Sequence, residues 1–140
     1  MEYLIDTAAI SELIKKSPNQ GVVEWFENAR EDQLYLSVVT VGEIYKGISK
    51  LEDQSRARKL EKWVGKDLEE RFAGRVLSID SLIAERWGRI IGEREKAGEK
   101  LPVLDALIGA TALVRDLVVV TSNVKGIART GAQVLNPWGE

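Results

Sequence analysis

Apolar residues along this chain come in short runs separated by longer stretches of helical period. Tyr3-Leu4-Ile5 is such a run; it stops at Asp6-Thr7 and predicts a short buried strand. Leu34-Tyr35-Leu36-Ser37, Arg75–Ile79, Leu117–Thr121 and Gln133-Val134-Leu135 predict further strands. Helical patterns cover Ala8–Lys16 and Gly21–Arg30, divided by Ser17-Pro18-Asn19, and then Thr40–Leu51, Arg56–Phe72 and Asp80–Ala97. Pro102 suits the first turn of another helix, which runs to about Arg115. A short segment from Ser122 leads to the last strand. Strands alternating with helices imply an α/β fold with a mainly parallel sheet covered on both faces. With 140 residues and no linker, repeat or low-complexity stretch, the chain reads as one domain over 1–140.

Composition narrows the chemistry by what is missing. The chain has no Cys, so thiol nucleophiles, disulfides and thiolate metal sites are excluded. It has no His, which excludes a Ser-His-Asp triad and a His-ligated zinc centre. Catalysis would fall to carboxylates, Lys, Tyr or metal-bound water, and carboxylates favour hard cations such as Mg²⁺ or Mn²⁺. The net charge of −2 argues against a dedicated high-affinity nucleic-acid binder but leaves room for a local basic rim. No apolar run is long enough to cross a membrane, and the start Met1-Glu2-Tyr3-Leu4-Ile5-Asp6 is unlike a signal peptide. The expected location is the cytoplasm.

Ligands of such sheets bind beyond the carboxyl ends of the strands, where the crossover helices also begin. Asp6 ends the first strand, Glu43 lies in the first turn of the helix after the second, Asp105 lies in the first turn of the helix that begins with Pro102, and Asn123 follows the strand ending at Thr121. Four distant regions thus bring polar groups, three of them carboxylates, to one edge. Each also has a local reading. Asp6 or Thr7 can cap a helix. Thr40-Val41-Gly42-Glu43 fits a capping box with Glu43 reaching back to its own N-cap. Asp105 suits the helix dipole, and Asn123 suits a turn. Asp105 is set among Val103, Leu104, Ala106, Leu107 and Ile108. Partial burial of its carboxylate, and repulsion among clustered acids, would both be relieved by a divalent cation.

Several motifs now line up in order. Tyr3-Leu4-Ile5-Asp6-Thr7 with Ile10-Ser11-Glu12-Leu13, Leu36–Ile44 with Gly47, Pro102–Ala112, Val120-Thr121-Ser122-Asn123 and Asn136-Pro137-Trp138 together resemble the VapC-type, FitB-like PIN-domain proteins over nearly the whole chain. The resemblance implies a three-layer α/β/α fold and a Mg²⁺- or Mn²⁺-dependent ribonuclease. It implies that the metal is held by Asp6, Glu43 and Asp105, with Asn123 as a further candidate ligand. It also implies a homodimer and a small VapB-like antitoxin that binds operator DNA. Two departures from the family pattern stand out. Ala8 replaces the polar residue common after the Asp-Thr pair, and Asn123 and Gly126 stand where many members carry a fourth acid.

That missing acid keeps a second reading open, a catalytically weak module that binds RNA or its partner. A receiver-like signalling domain fits poorly, because Thr7 and Ala8 follow Asp6 where adjacent acids are needed. Basic residues gather at Arg56, Arg58 and Lys59 and again at Arg86, Arg89, Arg94 and Lys96. They fit a phosphate-contacting rim or an antitoxin-facing surface, but interleaved Glu85, Glu93 and Glu95 fit solvated helix faces better. Trp25, Trp63 and Trp87 suit packing more than base stacking.

Overall fold

The computed structural model describes residues 1–139. Five parallel strands form one sheet: β1 (Tyr3–Ile5), β2 (Leu34–Ser37), β3 (Val76–Leu77), β4 (Val118–Val120) and β5 (Val134–Leu135), in the order β3-β2-β1-β4-β5. Tyr3 of β1 pairs with Leu34 on one side and Val118 on the other. Parallel neighbours need crossovers, and helices supply them.

Alternation along the strands sends successive side chains to opposite faces. Ile5 and Val120 pack with α1 (Thr7–Glu12), α2 (Gln20–Asn28), α3 (Val38–Ser49) and α4 (Gln54–Lys62). Leu4 and Val119 pack with Ile108 and Ala112 of α7 (Val103–Arg115) and Ile127 of α8 (Val124–Ala128), and α6 (Ser81–Lys96) packs against α7. The result is the expected three-layer α/β/α sandwich.

Differences from the sequence pattern have local causes. The first helix stops at Glu12, because Leu13, Ile14 and Lys15 donate to carbonyls three residues back. The Glu12 carboxylate, only 5% exposed, instead accepts the N–H of Asn19 at 2.8 Å and the Lys15 ammonium at 2.9 Å. The Lys15 hydrogen bond leads in holding this carboxyl below the ordinary glutamate range. The helix expected from Arg56 to Phe72 is α4 continued through a π-helical stretch, Trp63–Leu68, into α5 (Glu69–Arg71). The wider turn keeps Val64, Leu68 and Phe72 buried together. The segment after Ser122 contains α8, which at five residues is too short to show a period.

The helix after β2 begins at Val38, two residues before Thr40, because the Ser37 hydroxyl accepts the N–H of Val39 at 3.0 Å and caps it. The capping box that Thr40 and Glu43 fit as a local alternative therefore does not form. Thr40 lies inside the helix, fully buried, and Glu43 is left to find another partner.

α7 packs closely against the segment that follows α8, where Gly109 faces Thr130. A Cβ on Gly109 would stand 2.1 Å from the Thr130 hydroxyl and 2.4 Å from its Cβ. Gly109→Ala is expected to destabilise the fold by about 1–3 kcal/mol through overpacking. Urea denaturation of both proteins checks this; an unchanged midpoint would mean that the contact relaxes freely.

Candidate active site

From β1 the chain steps outward to β2 and β3, then crosses back to β4 and β5 on the other side. The direction reverses between β1 and β4, so the crevice beyond their carboxyl ends is the natural ligand site of the sheet. Asp6 directly follows β1 and Thr121 directly follows β4. The Asp6 N–H donates to the carbonyl of Val120 at 3.0 Å, which continues the ladder to the crevice. Each oxygen of the Asp6 side chain is then used once. Oδ1 accepts the N–H of Thr7 at 2.8 Å, which caps α1, and Oδ2 accepts the Thr121 hydroxyl at 2.8 Å. Burial pushes the Asp6 carboxyl above the ordinary aspartate range. The two hydrogen bonds pull it back, and the charge of Asp105 adds to the rise.

Glu43, in the second turn of α3, reaches toward α1. Its Oε1 accepts the Thr7 hydroxyl at 2.7 Å, and the buried Thr40 hydroxyl stands 3.4 Å from the same Thr7 oxygen. Thr7 thus touches both acids, through its N–H to Asp6 and its hydroxyl to Glu43.

Asp105 is half-buried in the first turn of α7. Its Oδ2 accepts the Asn123 amide at 3.1 Å. The Asn123 carbonyl oxygen accepts the N–H of Gly126 at 3.3 Å and caps α8. With the carbonyl turned to the helix and the NH₂ turned to the acid, the amide has one orientation that satisfies both. Gly126 leaves the space this needs, since a Cβ there would lie 2.6 Å from the Asn123 amide and 2.8 Å from Asp105 Oδ2. A second clasp ties the end of α6 and the segment before α7 to the end of α8. Glu99, before α7, accepts Arg94 and Arg129 at 3.1 Å each, Arg129 also donates to the Lys100 carbonyl at 3.1 Å, and Arg94 reaches the Arg129 carbonyl.

The parts join through Thr121. Its hydroxyl donates to Asp6 and accepts the N–H of Asn123 at 2.9 Å, so a chain of hydrogen bonds runs from Asp6 through Thr121 and Asn123 to Asp105. Glu43 joins through Thr7. The four candidates from sequence therefore share one edge, but they do not form a closed cage. Among the described residues, no group of three or more acidic side chains is gathered tightly enough to hold a metal ion. Nor does any ion pair among them involve Asp6, Glu43 or Asp105. Sequence reasoning gave no site role to Thr7 or Thr121. The available signal was that each is a hydroxyl residue at the end of an apolar strand.

An acid at the switch point of a parallel sheet, with a second on the neighbouring crossover helix, defines an α/β/α protein with a carboxylate crevice. The chain belongs to the PIN domain family, whose pattern matches residues 3–132. It is similar to plasmid stability protein StbB of Pseudomonas syringae pv. tomato, 33% identical over 96% of this chain and 97% of that protein. It is also similar to toxin FitB of Neisseria gonorrhoeae, 30% identical with the same coverage, and to VapC ribonuclease Y4jK of Sinorhizobium fredii, 27% identical over 96% of each. The solved structure of FitAcB from Neisseria gonorrhoeae matches with a TM-score of 0.92 at 30% identity over 99% of both chains. A toxin-antitoxin complex from Klebsiella pneumoniae matches with a TM-score of 0.67 at 25% identity over 97% of this chain and 98% of that one.

Thr121→Val keeps the volume and removes both hydrogen bonds. It is expected to cost about 1–3 kcal/mol of stability, because a buried partner is left unpaired, and to raise the Asp6 pKa further. Thr121→Ser, which keeps the hydroxyl, should restore both. Denaturation curves and an NMR titration of the Asp6 carboxyl read the two effects; a valine variant with an unmoved Asp6 titration would refute the coupling.

Proposed function

We propose that this chain is a divalent-metal-dependent ribonuclease and the toxin half of a toxin–antitoxin pair. The observation that carries the reading is Asp6, a carboxylate taken largely out of water at the switch point, its pKa raised further by the charge of Asp105 and, among the described residues, in no ion pair. The donor set is all oxygen, which suits Mg²⁺ or Mn²⁺. Mg²⁺ commonly takes one or two carboxylates and keeps several waters, so Asp6 and Asp105 fit it without a three-acid cage. The chemistry such a cation supplies is polarisation of a phosphoryl oxygen and acidification of a water molecule.

The chain's own residues have distinct parts in this reading. Thr7 and Thr121 fix the Asp6 carboxylate. Thr7 occupies Oε1 of Glu43 and leaves its other oxygen to accept a hydrogen bond from water. Asn123 acts as a positioning residue for Asp105, since its carbonyl is engaged in capping α8. The relatives named a ribonuclease and a toxin, and the neighbour solved as a toxin-antitoxin complex, support RNA as substrate and a small antitoxin as partner. We also assign a homodimer, for which Leu82, 63% exposed on α6, offers apolar surface.

A second reading is a weakly catalytic binding module. The absence of a three-acid group among the described residues, and Asn123 in place of a fourth acid, favour it.

The two readings separate on metal-dependent cleavage. Losing a mere supporting partner of a metal ligand costs about 10–100-fold in affinity or activity, so Asp6→Asn or Asp105→Asn should lower RNA cleavage by at least on the order of a hundredfold. Chelator should abolish it in the wild type. Cleavage that survives both variants would end the carboxylate–metal assignment, and RNA bound but never cut with Mn²⁺ would establish the binding module. Native purification is expected to recover the chain as a dimer with a small protein that suppresses cleavage. A monomer by light scattering, fully active and alone, would remove the partner assignments.

A further inference from the structure

A groove of about 310 Å³ runs between α1, α3 and α4, and Thr7 and Glu43 form part of its wall. It therefore opens from the candidate active site. The rest of its lining is mostly apolar, with Ile44, Ile48 and Leu60 among the contributors, and among the described residues the one cation lining it is Arg56. Asp53 caps α4 by accepting the N–H groups of Ser55 and Arg56, so the backbone that carries Arg56 is held in place. The Arg56 guanidinium is in no ion pair among the described residues. By contrast, Arg71, Arg89, Arg94, Arg115 and Arg129 are each matched with a carboxylate.

We propose that this groove is a nucleotide subsite, in which Arg56 binds a phosphate next to the bond being cut and the apolar floor receives a base. The proposal rests on RNA being the substrate. An unpaired guanidinium close to a site of uncompensated acids suits an anion held a short way from those acids. A polyanionic strand is otherwise repelled by Asp6, Glu43 and Asp105, and a fixed cation on the approach offsets that repulsion. An apolar floor accepts the face of any base, so the groove should add affinity with little choice among bases. Arg56 is then a binding residue, and its loss should weaken association and leave turnover at saturation alone.

The test measures binding apart from cleavage. An end-labelled single-stranded RNA pool of mixed sequence is titrated with protein in chelator, and fluorescence anisotropy gives Kd across a salt series. Arg56→Ala is expected to raise Kd about tenfold, as for a lost charge-assisted hydrogen bond. It should also reduce the slope of log Kd against log salt by about 0.7, the release expected per phosphate contact on a single strand. Arg56→Lys should recover the salt slope and part of the affinity. Lys62→Ala, which removes an exposed charge from the same helix outside the groove, should change neither. With metal restored, Arg56→Ala at saturating RNA should keep the wild-type turnover.

Wild-type affinity and salt slope in Arg56→Ala would overturn the proposal and leave the groove to a protein partner. An equal loss in Lys62→Ala, or a wild type that binds no RNA, would overturn it as well. A wild type that binds RNA through Arg56 but cuts none would refute the nuclease reading and leave the subsite standing.

Discussion

The site depends on holding the Asp6 carboxylate at the end of a buried strand, where water can solvate it only in part. An ionised group in that position is costly unless donors or charges compensate. The compensation within the protein is neutral: one backbone N–H and one hydroxyl, each on a different oxygen. The same two residues that supply those donors, Thr7 and Thr121, extend the order outward to Glu43 and to Asn123. Among the described residues no Lys or Arg is in an ion pair with Asp6, Glu43 or Asp105, so no side-chain cation is in direct contact with these acids. That is the electrostatic condition under which a divalent cation binds.

Helix packing sets the remaining geometry. Asp105 and Asn123 meet only if α7 and α8 lie close together, and two features bring them there. Gly109 removes the side chain that would collide with Thr130, and the Glu99 clasp ties the segment before α7 to the end of α8. Gly126 then leaves room for the amide between the helices. The site is therefore built on packed helices and strand ends, which suits the fixed geometry that the proposed mechanism needs.

Charge is distributed to match. Two of the four members of the second basic cluster anticipated in the sequence are taken up in ion pairs, Arg89 with Glu85 and Arg94 with Glu99. The solvated-face reading suits it better than a phosphate rim. Of the first cluster, Arg56 alone lines the groove that reaches Thr7 and Glu43. A chain of net charge −2 can thus present an unpaired cation beside its acids without being basic as a whole.

The sequence by itself determined the layered architecture, because strands buried on both faces are written as uninterrupted apolar runs and helices as their own period. Leu34–Ser37 is a strand at the residues the pattern predicts. It also placed Asp6, Glu43, Asp105 and Asn123 at one edge, since that follows from alternating strands and helices alone. Only the tertiary structure decided what each of them touches. Glu43 answers to Thr7, 36 residues away, rather than to its own helix start, because Ser37 caps that helix first. Thr121 looks like any residue after a strand until Asp6, 115 residues distant, is folded against it. The way the Asn123 amide faces is settled by two neighbours on different helices. Such contacts depend on how elements pack across the sheet, and no local stretch of sequence encodes that distance.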